Sequence, residues 1–495
     1  MELLANLAFG FGVALSLQNL AYCLAGVLLG TLIGVLPGIG PLVAIGMLFP
    51  LVFHLPAVPA LIMLAGIYYG AQYGGSTTAI LANLPGETAS AVTCLDGYQM
   101  ARQGRAGPAL AVAALASFFA GCVGVVLIAL FGPALAEWAL RFGPAEYFSL
   151  MLMGLVASAV LTHGDMVKGL AMVVLGLLLG IVGTDVNSGS VRYAFGVLEL
   201  MDGIGFTVIA VGLFAVAEIV SNLERREAHA VFSGKVAGLM PTRQDLRASV
   251  WPTLRGTAVG AFFCILPGTG PALSSFAAYM LEKKVARDPA RFGNGAIEGV
   301  AAPEAANNAA AQTSFIPTLT LGVPGTATMA LMMGAMIMQG IVPGPQVMST
   351  NPELFWGIVA SMWLGNLMLL VLNLPLVGLW VRLLRVPYHW LFPSIIMFCC
   401  IGNYSVSNNA VDVYLCAALG VFGYVLVKLE CEPAPLLLGY VLGPLMEEYL
   451  RRALLLSRGD PGVFFTRPIS LAFMLATALL LAAMIAPAAR GKKAR

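Results

Sequence analysis

A short phrase occurs twice in this chain, and both copies interrupt strongly apolar sequence. Leu36-Pro37-Gly38-Ile39-Gly40-Pro41 returns as Leu266-Pro267-Gly268-Thr269-Gly270-Pro271. Proline and glycine are poor residues for a helix interior, so each copy is expected to break a hydrophobic helix. In lipid, broken backbone is tolerated only where it is buried in protein or lines a cavity. Paired breaks at corresponding places in two halves are the sequence sign of a transporter built from related repeats.

The surrounding composition places those breaks in a bilayer. Of 495 residues, 59% are hydrophobic and 10% are charged, and the mean hydropathy is +0.89. Soluble domains carry about 25% charged residues. A formal net charge of +2 gives no reason to expect a nucleic-acid partner. The N-terminus lacks a basic segment ahead of its apolar run and is read as retained. Eight cysteines are scattered without metal-ligand spacing and read as small buried hydrophobes, with no disulfide framework and no zinc site.

The expected fold is an all-α polytopic membrane protein, with about 10–12 transmembrane helices plus re-entrant helical hairpins in a two-fold inverted repeat. Residues 1–221 form an N-terminal membrane repeat, 222–250 a cytoplasmic linker, and 251–495 a C-terminal repeat with additional helices. Two further matches support the repeat. Gly26 and Gly30 precede the first break as Gly256 and Gly260 precede the second, a spacing that lets helices approach closely. A second Pro-Gly pair then follows in each half, Pro85-Gly86 and Pro324-Gly325.

The arms 251–266 and 271–281 are expected to be helices of roughly 16–24 Å, too short for a hydrocarbon core of about 30 Å. A hairpin that enters and leaves on one side follows. No Lys or Arg precedes Arg102, whereas Arg247, Arg255, Lys283, Lys284 and Arg287 flank the second hairpin. Basic residues favour the cytoplasm, so the second hairpin is expected to open there and the first to the opposite face.

At each break a helix start offers unpaired N–H groups to an anion, and a helix end offers carbonyls to a cation. The candidate substrate-binding set is Pro37, Gly38, Gly40, Ser76, Thr77, Thr78, Asn83, Gly86, Gly268, Thr269, Gly270, Gly325 and Thr326. The hydroxyls among them also suit plain helix caps. Glu304, Asn307 and Asn308 lie in an Ala-rich run, with Glu304 and Asn308 on one helix face. They form a candidate cation-coupling group; the other reading is a helix start, with Pro303 in its first turn. Glu87 and Asp96 are expected on a solvated face. Asp165 with Lys168, Glu447 with Arg451, and Glu448 with Arg452 are spaced as helix ion pairs.

These motifs resemble the large membrane subunit of the tripartite tricarboxylate transporters (TctA type). The likeness rests on residues 30–41, 73–81, 85–87 and 96–98 in the first half, and on 301–311, 317–325 and 443–460 in the second. It implies a binding-protein-dependent secondary transporter in the bacterial inner membrane. It further implies a periplasmic solute-binding protein, a small membrane subunit, carboxylate substrates, and Na⁺ or H⁺ as coupling ion. Neither a catalytic role nor a cofactor is expected, apart from Na⁺ as a coupling ion. A passive channel or membrane scaffold is the alternative. An intramembrane enzyme with Ser76 as nucleophile and His163 as base is disfavoured, since nothing in the sequence brings the two together.

Overall fold

The computed structural model describes residues 2–36, 39–160, 165–185, 187–224, 238–265, 270–383 and 388–491. The first half begins with α1 (Glu2–Ala14), α2 (Leu17–Gly34), α3 (Pro41–Phe53) and the long α4 (Ala57–Ala82). A 3₁₀ turn, Thr88–Ser90, leads into α5 (Ala91–Arg102) and α6 (Ala106–Ala139). Then come α7 (Pro144–Val160), α8 (Met166–Gly180), and a two-strand hairpin of β1 (Gly183–Thr184) and β2 (Val191–Arg192). The half closes with α9 (Phe206–Ala210) and α10 (Ala217–Glu224), fused through a π-helical turn at Val211–Val216.

The second half begins with α11 (Arg243–Ile265), α12 (Gly270–Val285), α13 (Glu298–Thr313), α14 (Phe315–Leu321) and α15 (Ala327–Met338). A short α16 (Val347–Thr350) precedes α17 (Pro352–Asn373), α18 (Val377–Leu383), α19 (Tyr388–Ser407) and α20 (Ala410–Lys428). The chain ends with α21 (Ala434–Leu456), α22 (Val463–Thr466) and α23 (Pro468–Gly491). The protein is all-α apart from the single small hairpin among the described residues. Among the described residues, five helical stretches are long and apolar enough to cross a bilayer alone: α2, α6, the fused α9–α10, α17 and α20. α4 is longer than most of these, but Gln72, Ser76, Thr77 and Thr78 lower its hydropathy, and it is buried along nearly its whole length.

Glycine stripes decide which helices meet. A methyl group at Gly26, Gly30 or Gly34 of α2 would stand 2.3–2.4 Å from the carbonyl oxygens of Met63, Ile67 and Ala71 on α4. At Gly256 and Gly260 of α11 it would stand 2.3 and 2.2 Å from Ala302 O and Ala306 O on α13. Only hydrogen fits in those notches, so backbone packs on backbone and dispersion contacts add along the whole seam. α8 and α21 share a third seam, with Gly176 against Leu436 O and Gly439 against Val173 O.

Two expectations need correction. α11 starts at Arg243, inside the stretch read as linker, and at 23 residues it is about 34 Å long. Its length alone does not prevent it from spanning; α12, with 16 residues, reaches about 24 Å. Asp165 and Lys168 do not pair. Asp165 caps α8 by accepting from the Val167 amide at 2.8 Å, and Lys168 lies 3.7 Å from Glu430. The two pairs on α21 do form: Arg451 to Glu447 at 2.6 Å, and Arg452 to Glu448.

Candidate functional site

The second Pro-Gly pair of each half makes the same turn. α4 ends on Asn83 with φ 56°, and α14 ends on Gly322 with φ 67°, both left-handed. Asn is among the few residues with a side chain that tolerate this conformation, which is why Asn and Gly can occupy equivalent places. Pro-Gly then leads to an extended residue that caps the next helix: Glu87 (φ −146°, ψ 168°) and Thr326 (φ −140°, ψ 162°). Each cap faces the glycine that opens a hairpin's second arm. A methyl on Gly40 would lie 3.4 Å from Glu87 Cβ, and one on Gly270 3.7 Å from Thr326 Cγ2. Gly86 is wedged so tightly that its methyl would meet Gly75 Cα at 2.4 Å and Gly34 O at 2.6 Å.

Between these corners α13 carries the chemistry. Glu304 is fully buried and takes part in no ion pair among the described residues. Its carboxylate accepts from Ser76 Oγ on α4 at 2.5 Å, Thr93 Oγ1 on α5 at 2.6 Å, and more weakly from Ser117 Oγ on α6 at 3.5 Å. Asn308, one turn on, donates through Nδ2 to Ser117 Oγ at 2.7 Å. Asn307 points to the first corner and donates to Glu87 Oε1 at 2.8 Å. Gln312 approaches Asn366 on α17 at 3.5 Å. Three helices of the first half thus converge on one acid of the second.

The band is rich in unpartnered oxygen. Asn307 Oδ1, Asn308 Oδ1, Gln312 Oε1 and Gln72 Oε1 are buried without a hydrogen-bond donor, as are the hydroxyls of Tyr68, Tyr69 and Tyr73. Buried polar atoms are normally satisfied, so these seven are open to water or to a ligand. Six of the seven pair between the halves. Matching Asn83 to Gly322 places Tyr68, Tyr69 and Tyr73 at the positions of Asn307, Asn308 and Gln312. One half offers amides where the other offers phenols.

The sequence-derived site residues divide into three groups. Pro37, Gly38, Gly268 and Thr269, expected from the sequence as the two hairpin tips, lie outside the described residues, as does His163. Gly40, Gly86, Gly270, Gly325 and Thr326 form the corners; Ser76, Glu304, Asn307 and Asn308 form the band. Thr78 acts as a strut, donating to Val35 O at 2.7 Å where the first hairpin arm ends. Thr77 is buried, whereas Asn83 is exposed and shapes the turn.

Comparison with known proteins gives the family. Residues 20–438 match the Tripartite tricarboxylate transporter TctA family. The chain belongs to the TctA family. One relative, from Agrobacterium vitis and described as an uncharacterized 52.8 kDa protein in the TAR-I ttuC' 3' region, is 55% identical over 493 residues. That match covers 100% of this chain and 98% of the relative. A second, described as an uncharacterized protein in the TAR-II ttuC' 3' region of the same organism, is 56% identical over 234 residues, covering 47% of this chain and 97% of its own length. No solved structure matches.

Sequence reading missed several members of this candidate site. Glu87 was expected in solvent and instead holds Asn307. Asp96 was placed with it and is fully buried. Its carboxylate accepts from the amides of Gly293, Gly295 and Ala296 at 2.8–2.9 Å and from the Tyr279 hydroxyl at 2.9 Å. Asp96 therefore fastens α5, which carries Thr93, to the loop that leads into α13. Thr93 and Ser117 gave no local signal. The tyrosines and Gln312 could have been found by carrying the repeat alignment through α4 and α13.

Proposed function

We propose that this chain is the large transmembrane subunit of a binding-protein-dependent secondary transporter that takes up carboxylates, tricarboxylates or related organic acids, with cation coupling. Glu304 carries the reading. It is a fully buried acid, held by three hydroxyls and, among the described residues, by no cationic side chain, beside amide oxygens without donors. Intramembrane acids of this kind are rare and mark ion or proton pathways. The helix starts at Gly270 and Thr326 are the corners suited to a substrate carboxylate, because their N–H groups and dipoles favour negative charge.

In this reading Glu304, Asn307 and Asn308 are the coupling group, and Na⁺ or H⁺ is the coupling ion. The two halves are inverted relative to each other, with 222–250 in the cytoplasm. The chain resides in a bacterial inner membrane and works with a periplasmic solute-binding protein and a small membrane subunit. Family membership supports a transporter over an enzyme. Ser76 gives its hydroxyl hydrogen to Glu304, which suits a structural donor better than a nucleophile.

The test is uptake into proteoliposomes that contain the chain and its small membrane subunit, supplied with the loaded binding protein. Uptake is expected to collapse when ionophores dissipate the coupling gradient, and to vanish without the binding protein. Glu304→Gln is expected to lower gradient-driven uptake by more than tenfold while the protein stays folded. Uptake indifferent to ionophores would leave the passive channel in its place.

A further inference from the structure

A groove of about 250 Å³ runs between α6 and α11 on the outside of the molecule. Val112, Ala116 and Ser249 are buried along its floor, while Phe119, Val250 and Leu254 stand 40–53% exposed beside it. Ser249 spends its hydroxyl on Asp245 O at 2.8 Å, so apart from Thr253 the groove presents apolar surface. The lining takes in residues 112–119 of α6 and 246–254 of α11, a length of about 10–12 Å at 1.5 Å per residue. One leaflet of a hydrocarbon core about 30 Å thick is about 15 Å deep. A partner's spanning helix would need a strip across both leaflets, whereas this groove has the length of one.

The end of the groove nearest the start of α11 is cationic. Arg105, two turns before Val112, caps the start of α6 and pairs with Asp245 at 2.5 Å. Asp245 also accepts from the Thr242 amide at 3.1 Å and the Thr242 hydroxyl at 2.8 Å, so the acid at this end is already committed. Arg243 lies seven residues before Val250 and Arg247 seven before Leu254, which puts each on the face of α11 that borders the groove. Both arginines are exposed, and neither takes part in an ion pair among the described residues. Two unpaired guanidinium groups at the mouth of an apolar channel one leaflet long match a phosphate joined to a hydrocarbon chain. We propose that this groove seats one acyl chain of an anionic phospholipid from the leaflet in which α11 begins, with the lipid's phosphate held by Arg243 and Arg247.

The test is native mass spectrometry of the full chain, released from detergent and titrated with phosphatidylglycerol or with phosphatidylcholine carrying the same acyl chains. Wild type is expected to hold one phosphatidylglycerol at least tenfold more tightly than phosphatidylcholine. Arg243→Gln combined with Arg247→Gln is expected to shrink that ratio below threefold and to leave phosphatidylcholine unchanged. Val250→Trp, which fills the groove from its exposed edge, is expected to weaken both lipids at least fivefold; Leu254→Trp carries this arm if the first variant misfolds. Equal binding of the two lipids by wild type, a ratio that survives loss of both arginines, or lipid binding untouched by the tryptophan overturns the assignment. So does displacement of the lipid by millimolar inorganic phosphate, which would make the arginines a site for free anions. A second copy of the chain in the wild-type spectrum that Val250→Trp removes would give the groove to self-association and overturn it as well.

Discussion

Single residues in this protein are constrained in two opposite ways, by lack of room and by need of a partner. Gly30 and Gly260 have no room: a Cβ would sit 2.4 and 2.2 Å from a backbone oxygen that cannot move independently of its helix. Gly30→Ala and Gly260→Ala are each expected to cost about 1–3 kcal/mol, the usual range for overpacking, read as a lower melting temperature in detergent. Gly12, with nothing within 4 Å, is the control. There the same change is expected to be neutral, or to stabilise by up to about 1 kcal/mol through helix propensity. Asp96 is the other kind. Asp96→Ala strands three backbone amides and the Tyr279 hydroxyl, at about 1–3 kcal/mol for each donor left dry. Asp96→Asn keeps an acceptor and is expected to lose less. A melting temperature for Asp96→Ala within a degree of wild type would contradict the burial described for it.

At the scale of elements, the breaks and the glycine seams were legible in the sequence because their signals are local. Pro-Gly stops a helix wherever it stands, and glycine at every fourth position marks a close-packing face. The Glu304, Asn307 and Asn308 group was legible because charge and amides stand out in an alanine-rich run. Thr93 and Ser117 were not, because a hydroxyl on an apolar helix looks the same whether it bonds its own backbone or an acid of another element. The expected pairing of Asp165 with Lys168 failed for a related reason: a helix start and a neighbouring loop competed for each partner and won. The small hairpin before α9 supplies a test at this scale. Asp185 lies within 3.5 Å of Arg192 and 3.0 Å of Arg451 on α21. The Ser188 hydroxyl, the Asn187 amide and Arg451 hold its carboxyl down from its ordinary 3.8 to about 2. With the folded value lowered, the stabilisation is complete above pH 4 and is lost as pH falls from about 4 toward 2. Thermal unfolding of wild type is expected to steepen across that window, and Asp185→Asn is expected to remove the extra slope.

For the whole molecule, the proposed inverted repeat predicts a sidedness that chemistry can read. In a cysteine-free background, Gln18→Cys and Gln244→Cys each stand at the second residue of their helix, α2 and α11, and both residues are exposed. Opposite orientation of the halves means that a membrane-impermeant maleimide labels the first from outside intact cells and the second only after lysis. Labelling of both from one side would make the halves parallel. The glycine seams bear on motion as well. A carbonyl seated in a notch with no spare width behaves like a tooth in a gear, so α2 cannot slip along α4, nor α11 along α13, without jumping a whole turn. Whatever opening and closing the protein performs must leave those two couples unsheared, and α2 must ride with α4, and α11 with α13, as one lever.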